Sequence, residues 1–139
     1  MNIRASIFVT LLFVSLFSCK DDDVDAGNNG LVGKWKMTEY LFDPGDGSGK
    51  FQRASEGESS VVEFKANGDF KETRGSLSSY VNLYTKYKLI GNDLIELSGA
   101  PNSVAYPAHN WSYKDLTPTS VTLGFSCDGT CLGKFVAVE

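Results

Sequence analysis

The residues of this chain best suited to chemistry are three cysteines, a single histidine and two aspartates in a glycine-rich loop. His109 could act as a general base with Asp115 or a serine, but no nucleophile is placed beside it. Asp43 and Asp46 could hold calcium, but the EF-hand spacing of alternate acids with a glutamate at position twelve is missing. The sequence therefore predicts no catalytic residue, no metal site, no cofactor and a protein that is not an enzyme.

Cys19 ends a segment that is laid out like a secretion signal. A single cation, Arg4, precedes an apolar run from residue 7 to residue 17, and the small residue Ser18 follows it. The run is shorter than the roughly 20 apolar residues that span a bilayer, and it suits a signal-peptide core of about 7–15 residues. This layout favours a cleaved leader over an uncleaved anchor or an N-terminal helix.

The residues around the end of this leader carry a resemblance. Leu16-Phe17-Ser18-Cys19 resembles the lipobox of bacterial lipoproteins. The resemblance implies that residues 1–18 are a cleaved lipoprotein signal peptide and that Cys19 becomes the diacylated first residue. Two acyl chains anchor a protein stably, whereas one chain binds only marginally. The implied partner is a membrane, and secretory cleavage near Ser18 without lipidation is the alternative.

An acidic stretch, Lys20-Asp21-Asp22-Asp23, follows the lipidated cysteine. It resembles the export signal of Bacteroidetes-type lipoproteins, which implies an outer-membrane lipoprotein exposed at the cell surface. A periplasm-facing lipoprotein is the alternative. Acidic, glycine- and asparagine-rich composition also favours a flexible tether, and both interpretations can hold together. We assign residues 19–30 to the lipidated cysteine and this tether.

The remainder, residues 31–139, is long enough for one small domain and too short for two. The whole chain carries a formal net charge of −4 at pH 7. No run of lysine and arginine interleaves with aromatic residues, so the sequence predicts no nucleic-acid partner.

Cys127 and Cys131 are the two cysteines left after lipidation of Cys19. Outside the cytoplasm such a pair most often forms a disulfide, and the intervening Asp128-Gly129 is a turn signal between two strand-like runs. A redox dithiol usually has two residues between its cysteines rather than three. A zinc site would need two further ligands. The compartment and the spacing favour a disulfide at a hairpin tip over these two alternatives.

The body of the chain consists of short runs rich in Val, Phe, Tyr, Ile and Thr that are separated by turn residues. No segment after the leader has a convincing helical period. Asn67-Gly68 is a strong hairpin turn between two alternating runs. The predicted strands, of which the second is weak, cover residues 31–42, 50–54, 59–66, 69–74, 80–90, 93–97, 109–116, 120–126 and 133–138.

Short turns make sequential strands antiparallel, and alternation along each strand gives the sheet one buried face. About eight such strands close readily into an up-and-down β-barrel, which also removes exposed sheet edges. The predicted fold class is therefore all-β, an antiparallel up-and-down barrel of about eight strands. The interior of a barrel this size is either filled by side chains or holds one small ligand.

Gly33-Lys34-Trp35 resembles the Gly-x-Trp opening of lipocalins, in which the tryptophan plugs the closed end of the barrel. With this motif, the segment 31–139 is similar to the lipocalin-like lipoproteins of Bacteroidetes. The resemblance implies a lipocalin-like barrel that binds a small apolar molecule. The other matching pieces are Leu31-Val32, Asp43-Pro44-Gly45, the stretch from Val62 to Phe70, Tyr87-Lys88-Leu89, Leu94-Ile95-Glu96-Leu97 and the ending from Cys127 to Phe135.

Two functions follow from this fold. The first is a membrane-anchored protein that binds a small apolar or amphipathic ligand inside the barrel. The alternative is a solid-cored interaction module, an accessory subunit or adhesin-like protein that uses the loops at 43–50 and 98–108. The aromatic residues at positions 35, 64, 70, 87, 111, 113, 125 and 135 could fill a small barrel, so the interior decides between the two. The residues predicted to contact a ligand are Trp35, Glu39, Thr85, Tyr87, Trp111 and Tyr113.

Overall fold

The structure, a computed structural model, describes residues 30–57, 59–73 and 83–139. The predicted signal peptide and Cys19 lie outside the described residues. All regular elements of the described part are strands. They are β1 (Gly33–Asp43), β2 (Gln52–Arg53), β3 (Val61–Phe64), β4 (Phe70–Thr73), β5 (Lys86–Ile90), β6 (Leu94–Ser98), β7 (His109–Lys114), β8 (Ser120–Phe125) and β9 (Thr130–Val138).

Eight of these strands form one antiparallel sheet in the order β4-β3-β1-β9-β8-β7-β6-β5, and the two-residue β2 adds to β1. The first and last long strands are neighbours, paired from Lys34↔Val138 to Asp43↔Thr130. Apart from β1 and β9, each pair of neighbouring strands in this order is also consecutive in the chain if β2 is not counted. The predicted all-β, up-and-down, lipocalin-like barrel is therefore confirmed.

The barrel is nearly closed where β4 meets β5. The amide of Phe70 donates to the Thr85 carbonyl at 2.8 Å, and the amide of Tyr87 donates to the Gly68 carbonyl at 2.9 Å. An isolated bridge and an ion pair join Asp69 to Lys86 at the same place. These contacts replace a full ladder between the two strands and join the ends of the sheet.

Local turn chemistry explains the hairpins. The predicted Asn67-Gly68 turn is confirmed: Gly68 has φ +83°, and the Asn67 side chain accepts a hydrogen bond from the Asp69 amide at 3.1 Å. Glycine tolerates positive φ because it lacks a Cβ atom. The strand predicted over 80–90 is shorter than expected, because β5 begins only at Lys86.

The two ends of the barrel differ. We call the end that carries the turns 65–69, 91–93 and 115–119 the closed end; Leu31 is fully buried beside it. The opposite end, which we call the open end, carries the loops 44–51, 99–108 and 126–129. The chain enters β1 at the closed end, and β9 ends there. Among the described residues, no helix has the length and apolarity to cross a membrane.

Candidate functional site

The barrel interior contains a continuous row of aromatic side chains. Neighbouring ring centroids along this row lie 5.0, 5.3, 5.5, 4.6 and 6.2 Å apart. These spacings are those of rings in direct tilted or edge-to-face contact. Side chains therefore fill the barrel along the row. In order, its members are Tyr87, Phe64, Phe70, Trp111, Phe125 and Phe135.

Trp35 and Tyr87, two of the predicted ligand contacts, are buried and satisfied by the protein itself. The Trp35 indole donates to the Leu31 carbonyl at 2.8 Å, which joins β1 to the residues just before it. The Tyr87 hydroxyl donates to the Lys65 carbonyl at 2.9 Å. Burial raises the pKa of Tyr87 above its ordinary value of 10.0. Both side chains therefore hold a nearby backbone carbonyl in place by a hydrogen bond.

Trp111 and Tyr113, two further predicted contacts, lie on β7 with their rings in the core. Trp111 pairs with the fully buried Ile95 of β6, and Tyr113 pairs with the fully buried Leu123 of β8. Inward-facing positions two residues apart on one strand explain this placement. Both aromatics act as core residues that join neighbouring strands.

Glu39, another predicted ligand contact, lies on the outer wall of the barrel. The register of β1 against β9 shifts between Met37 and Glu39, and this β-bulge changes which positions face inward. The Glu39 carboxylate pairs with the Lys134 ammonium at 2.6 Å, and that ammonium lies 4.2 Å from the centroid of the Phe51 ring. Glu39 therefore fastens β1 to β9 from outside the barrel.

Thr85, the last predicted contact, is exposed at the seam between β4 and β5. Its hydroxyl donates to the Gly99 carbonyl at 3.1 Å. The six predicted residues are thus divided among the core, the outer wall and the seam, and no single cleft brings them together. Ligand contact by these residues stays a prediction.

Two clefts lie on the outside of the barrel. One, of about 380 Å³, borders the β1 bulge, and the other, of about 220 Å³, borders the small outward residues of β8. Thr38 and Glu39 line both. The larger cleft carries two cations and two acids, so its charges balance. Its polar lining residues are Lys36, Thr38, Glu39, Arg53, Glu56 and Ser59.

At the open end, Asp43 organises the loop that follows β1. One carboxylate oxygen accepts the amides of Gly45 and Gly47 at 2.7 and 3.1 Å, and the other accepts the amide of Gly49 at 2.9 Å. These bonds hold the pKa of Asp43 below its usual value of 3.8, and the bond from the Gly49 amide has the largest effect. The carboxylate is therefore engaged by the amides of its own loop.

The predicted disulfide between Cys127 and Cys131 is confirmed, with Cα atoms 6.1 Å apart. It closes the hairpin between β8 and β9, and this hairpin packs against the Asp43 loop. A Cβ atom added to Gly129 would lie only 2.1 Å from the Asp43 carbonyl oxygen. Only glycine fits this approach, and its φ of +127° is also one that other residues rarely adopt.

His109 lies at the rim and is separated from Asp115. Its ring is parallel to that of Tyr84, with an interplanar angle of 10° and centroids 6.1 Å apart. The Tyr84 hydroxyl donates to the Pro107 carbonyl at 2.9 Å, next to a small cleft of about 190 Å³. His109 starts β7 and Asp115 follows its end, a separation of roughly 20 Å along an extended strand. The two residues therefore form no acid–base pair.

Glu72 is a buried interior residue that our sequence analysis missed. It is only 3% exposed and pairs across strands with Val62, while the Ser60 hydroxyl lies 3.5 Å from its carboxylate. The signal was present, because alternation along β4 places Glu72 on the same inward face as Phe70.

Within the described residues, no three histidine, cysteine or acidic side chains come together to hold a metal.

Comparison with known proteins gives no match. No protein-family model matches the chain, and neither a curated protein nor a solved structure does.

Proposed function

We propose that this chain is an outer-membrane lipoprotein of the Bacteroidetes lipocalin-like type, anchored through Cys19 and exposed at the cell surface. Its barrel serves as a solid-cored, non-catalytic module that binds a protein partner with the open end. The observation that carries this proposal is the aromatic row that fills the interior. Ligand-binding cavities normally have a volume of about 300–1,000 Å³. In this barrel, aromatic rings in contact with one another lie where such a cavity would be.

The end of the barrel at which the chain enters supports this orientation. Residues 19–30 join the lipid to the closed end, where Leu31 is buried and Gly30 lies near Leu116. A chain of that length spans at most about 40 Å and on average about 20 Å. The closed end is therefore held near the bilayer. The open end, on the other side of the barrel, is the part best placed to meet a partner.

The surface of the open end suits protein contact. Val104 is 93% exposed, Phe42 is 51% exposed and Tyr106 is 40% exposed, and all three belong to the loops or strand ends of that side. The Asp43 hydrogen bonds and the disulfide restrain the other two loops of this end, 44–51 and 126–129. Restrained loops lose less conformational entropy on binding, which favours affinity.

Site-specific photo-crosslinking in living cells tests this function. A photoreactive residue is placed at Val104 or Asp46 on the open end, and at Asn92 or Pro118, which are also exposed, on the closed end as controls. We expect both open-end positions to give the same protein adduct and both closed-end positions to lack it. An adduct formed from the closed end alone, or no adduct from Val104 and Asp46, would contradict the proposal.

A small apolar or amphipathic ligand remains the second candidate. The rim cleft beside Tyr84, Tyr106 and His109 favours it, since its walls are aromatic and carry no ionised carboxylate or ammonium. In this version the ligand lies at the mouth of the barrel instead of deep inside. Native mass spectrometry of protein purified from its own cells should then show an added mass that Tyr106→Ala removes. An unliganded mass for the native protein would count against it.

A further inference from the structure

We infer that the disulfide hairpin and the Asp43 loop form a thiol-sensitive clamp at the open end, which thiol–disulfide exchange opens. We define the clamp as residues 43–49 together with residues 126–131. The clamp itself is a property of the fold. Its effect on partner binding rests on the proposed function.

Two sets of contacts couple these segments, although about 80 residues separate them in the chain. The ladder between β1 and β9 ends with the pairs Phe42↔Cys131 and Asp43↔Thr130. Beyond it, Gly129 sits so close to the Asp43 carbonyl oxygen that no Cβ atom could fit between them. The backbone of Asp43 therefore touches the hairpin, while its carboxylate holds the other loop.

The hydrogen bonds of Asp43 transmit this coupling to the whole loop. Its carboxylate accepts the amides of Gly45, Gly47 and Gly49, so one side chain gathers the turn that follows β1. These bonds require Asp43 to stay at the end of the ladder. A hairpin that moves away from Asp43 thus removes the support of the entire loop.

The chemistry of opening is a balanced two-electron exchange with a small thiol or a dithiol as the reductant. Cys127 is exposed, whereas Cys131 is half-buried against the core. The incoming thiolate therefore bonds to the Cys127 sulfur and Cys131 leaves as a thiolate. A second thiolate then displaces Cys127 from the mixed disulfide, which yields two cysteine thiols and one oxidised disulfide of the reductant.

Opening frees the hairpin tip because the link restricts a short loop. With a sequence separation of 4 between the cysteines, loop-closure entropy alone corresponds to a roughly thirtyfold shift of the local opening equilibrium. The pairs at the end of the ladder then fray, and the loop amides exchange faster. The turn 115–119 lies at the opposite end of the barrel from the clamp, so we expect it to stay unchanged.

Hydrogen–deuterium exchange with mass spectrometry tests the clamp on the full-length protein in detergent, with dithiothreitol as the reductant. Relative to the oxidised protein, we expect peptides that cover residues 43–50 to exchange up to about thirtyfold faster after reduction. Peptides that cover residues 115–119 serve as the internal control. Trapping with a limiting thiol should place the first adduct on Cys127.

Gly129→Ala provides a second route to the same state while the disulfide stays closed. The added methyl group must displace Asp43, so residues 43–50 should exchange faster without reduction. Unchanged exchange of this loop in both the reduced protein and Gly129→Ala would overturn the inference. Since no partner takes part, this result is independent of the crosslinking result.

Discussion

The closed and open ends of the barrel solve the same problem, joining antiparallel strands, by different means. The closed end uses short turns whose residues hydrogen-bond to themselves, and it is sealed by Leu31 and Trp35. The open end has two longer loops, 44–51 and 99–108, and the disulfide hairpin; the hairpin meets the first of these loops where Gly129 approaches the Asp43 carbonyl oxygen. We therefore expect the closed end to be the more stable of the two, and the order of the open-end loops to depend on the Asp43 hydrogen bonds and the disulfide.

Removing the proposed lipid anchor should have the largest effect, because it acts on the attachment of the closed end. Cys19→Ala should abolish acylation, and we expect the protein to leave the membrane fraction entirely. Cell fractionation with immunoblotting measures this, and Cys127→Ala is the matched cysteine control that should stay with the membrane. A Cys19→Ala protein that remains membrane-bound would contradict the anchor.

Trp35→Ala should cost the most stability among single substitutions in the barrel. It empties the seal of the closed end and removes the hydrogen bond to Leu31, so we expect a loss of about 3–5 kcal/mol in the free energy of unfolding. Urea denaturation measures this. The exposed Tyr106→Ala at the open end is the control and should change stability by less than about 0.5 kcal/mol. Equal losses at both ends would refute the contrast.

Replacing both cysteines of the open end should have an intermediate effect. The disulfide closes a short loop, so Cys127→Ser combined with Cys131→Ser should lower the free energy of unfolding by about 2 kcal/mol. Thermal or urea unfolding under oxidising conditions measures the change. The same reducing agent should destabilise the wild type by a similar amount and leave the double variant unaffected.

The smallest effect should be a difference in salt response between two aspartates. Asp69, near the closed end, has its pKa lowered first by a hydrogen bond from Lys86, whereas the amide of Gly49 is the largest cause for Asp43. Because salt screens ion pairs, about 1 M salt should raise the pKa of Asp69 more than that of Asp43. Carboxyl NMR titrations measure both values, and equal shifts would contradict the assignment.

The direction of the acid response follows from the same lowered pKa values. Between the ordinary pKa and the lower folded value, the unfolded chain binds more protons than the folded one. The contribution of Asp43 to the free energy of unfolding is therefore present above about pH 4 and is lost as the pH falls through the pKa of the folded state. Below the pKa of the folded state, the loop amides at 45–49 should be less protected from exchange, and Asp43→Asn should remove this acid dependence.

The fold was predictable because its signals are local. Alternation of Val62 and Phe64 and the Asn67-Gly68 turn specify a hairpin without reference to the rest of the chain. The site was less predictable, because a single bulge after Met37 places Glu39 outside the barrel. No local sequence pattern predicts that bulge.

By itself, the sequence determined the strands, the turns, the barrel and the disulfide, because alternation, turn residues and cysteine spacing act over a few neighbouring residues. Only the tertiary structure decided that the aromatic rings meet in the interior and that Gly129 touches Asp43. The physical reason is that such contacts depend on how distant strands pair and close. Strand pairing is a property of the whole sheet, and no short stretch of residues contains it.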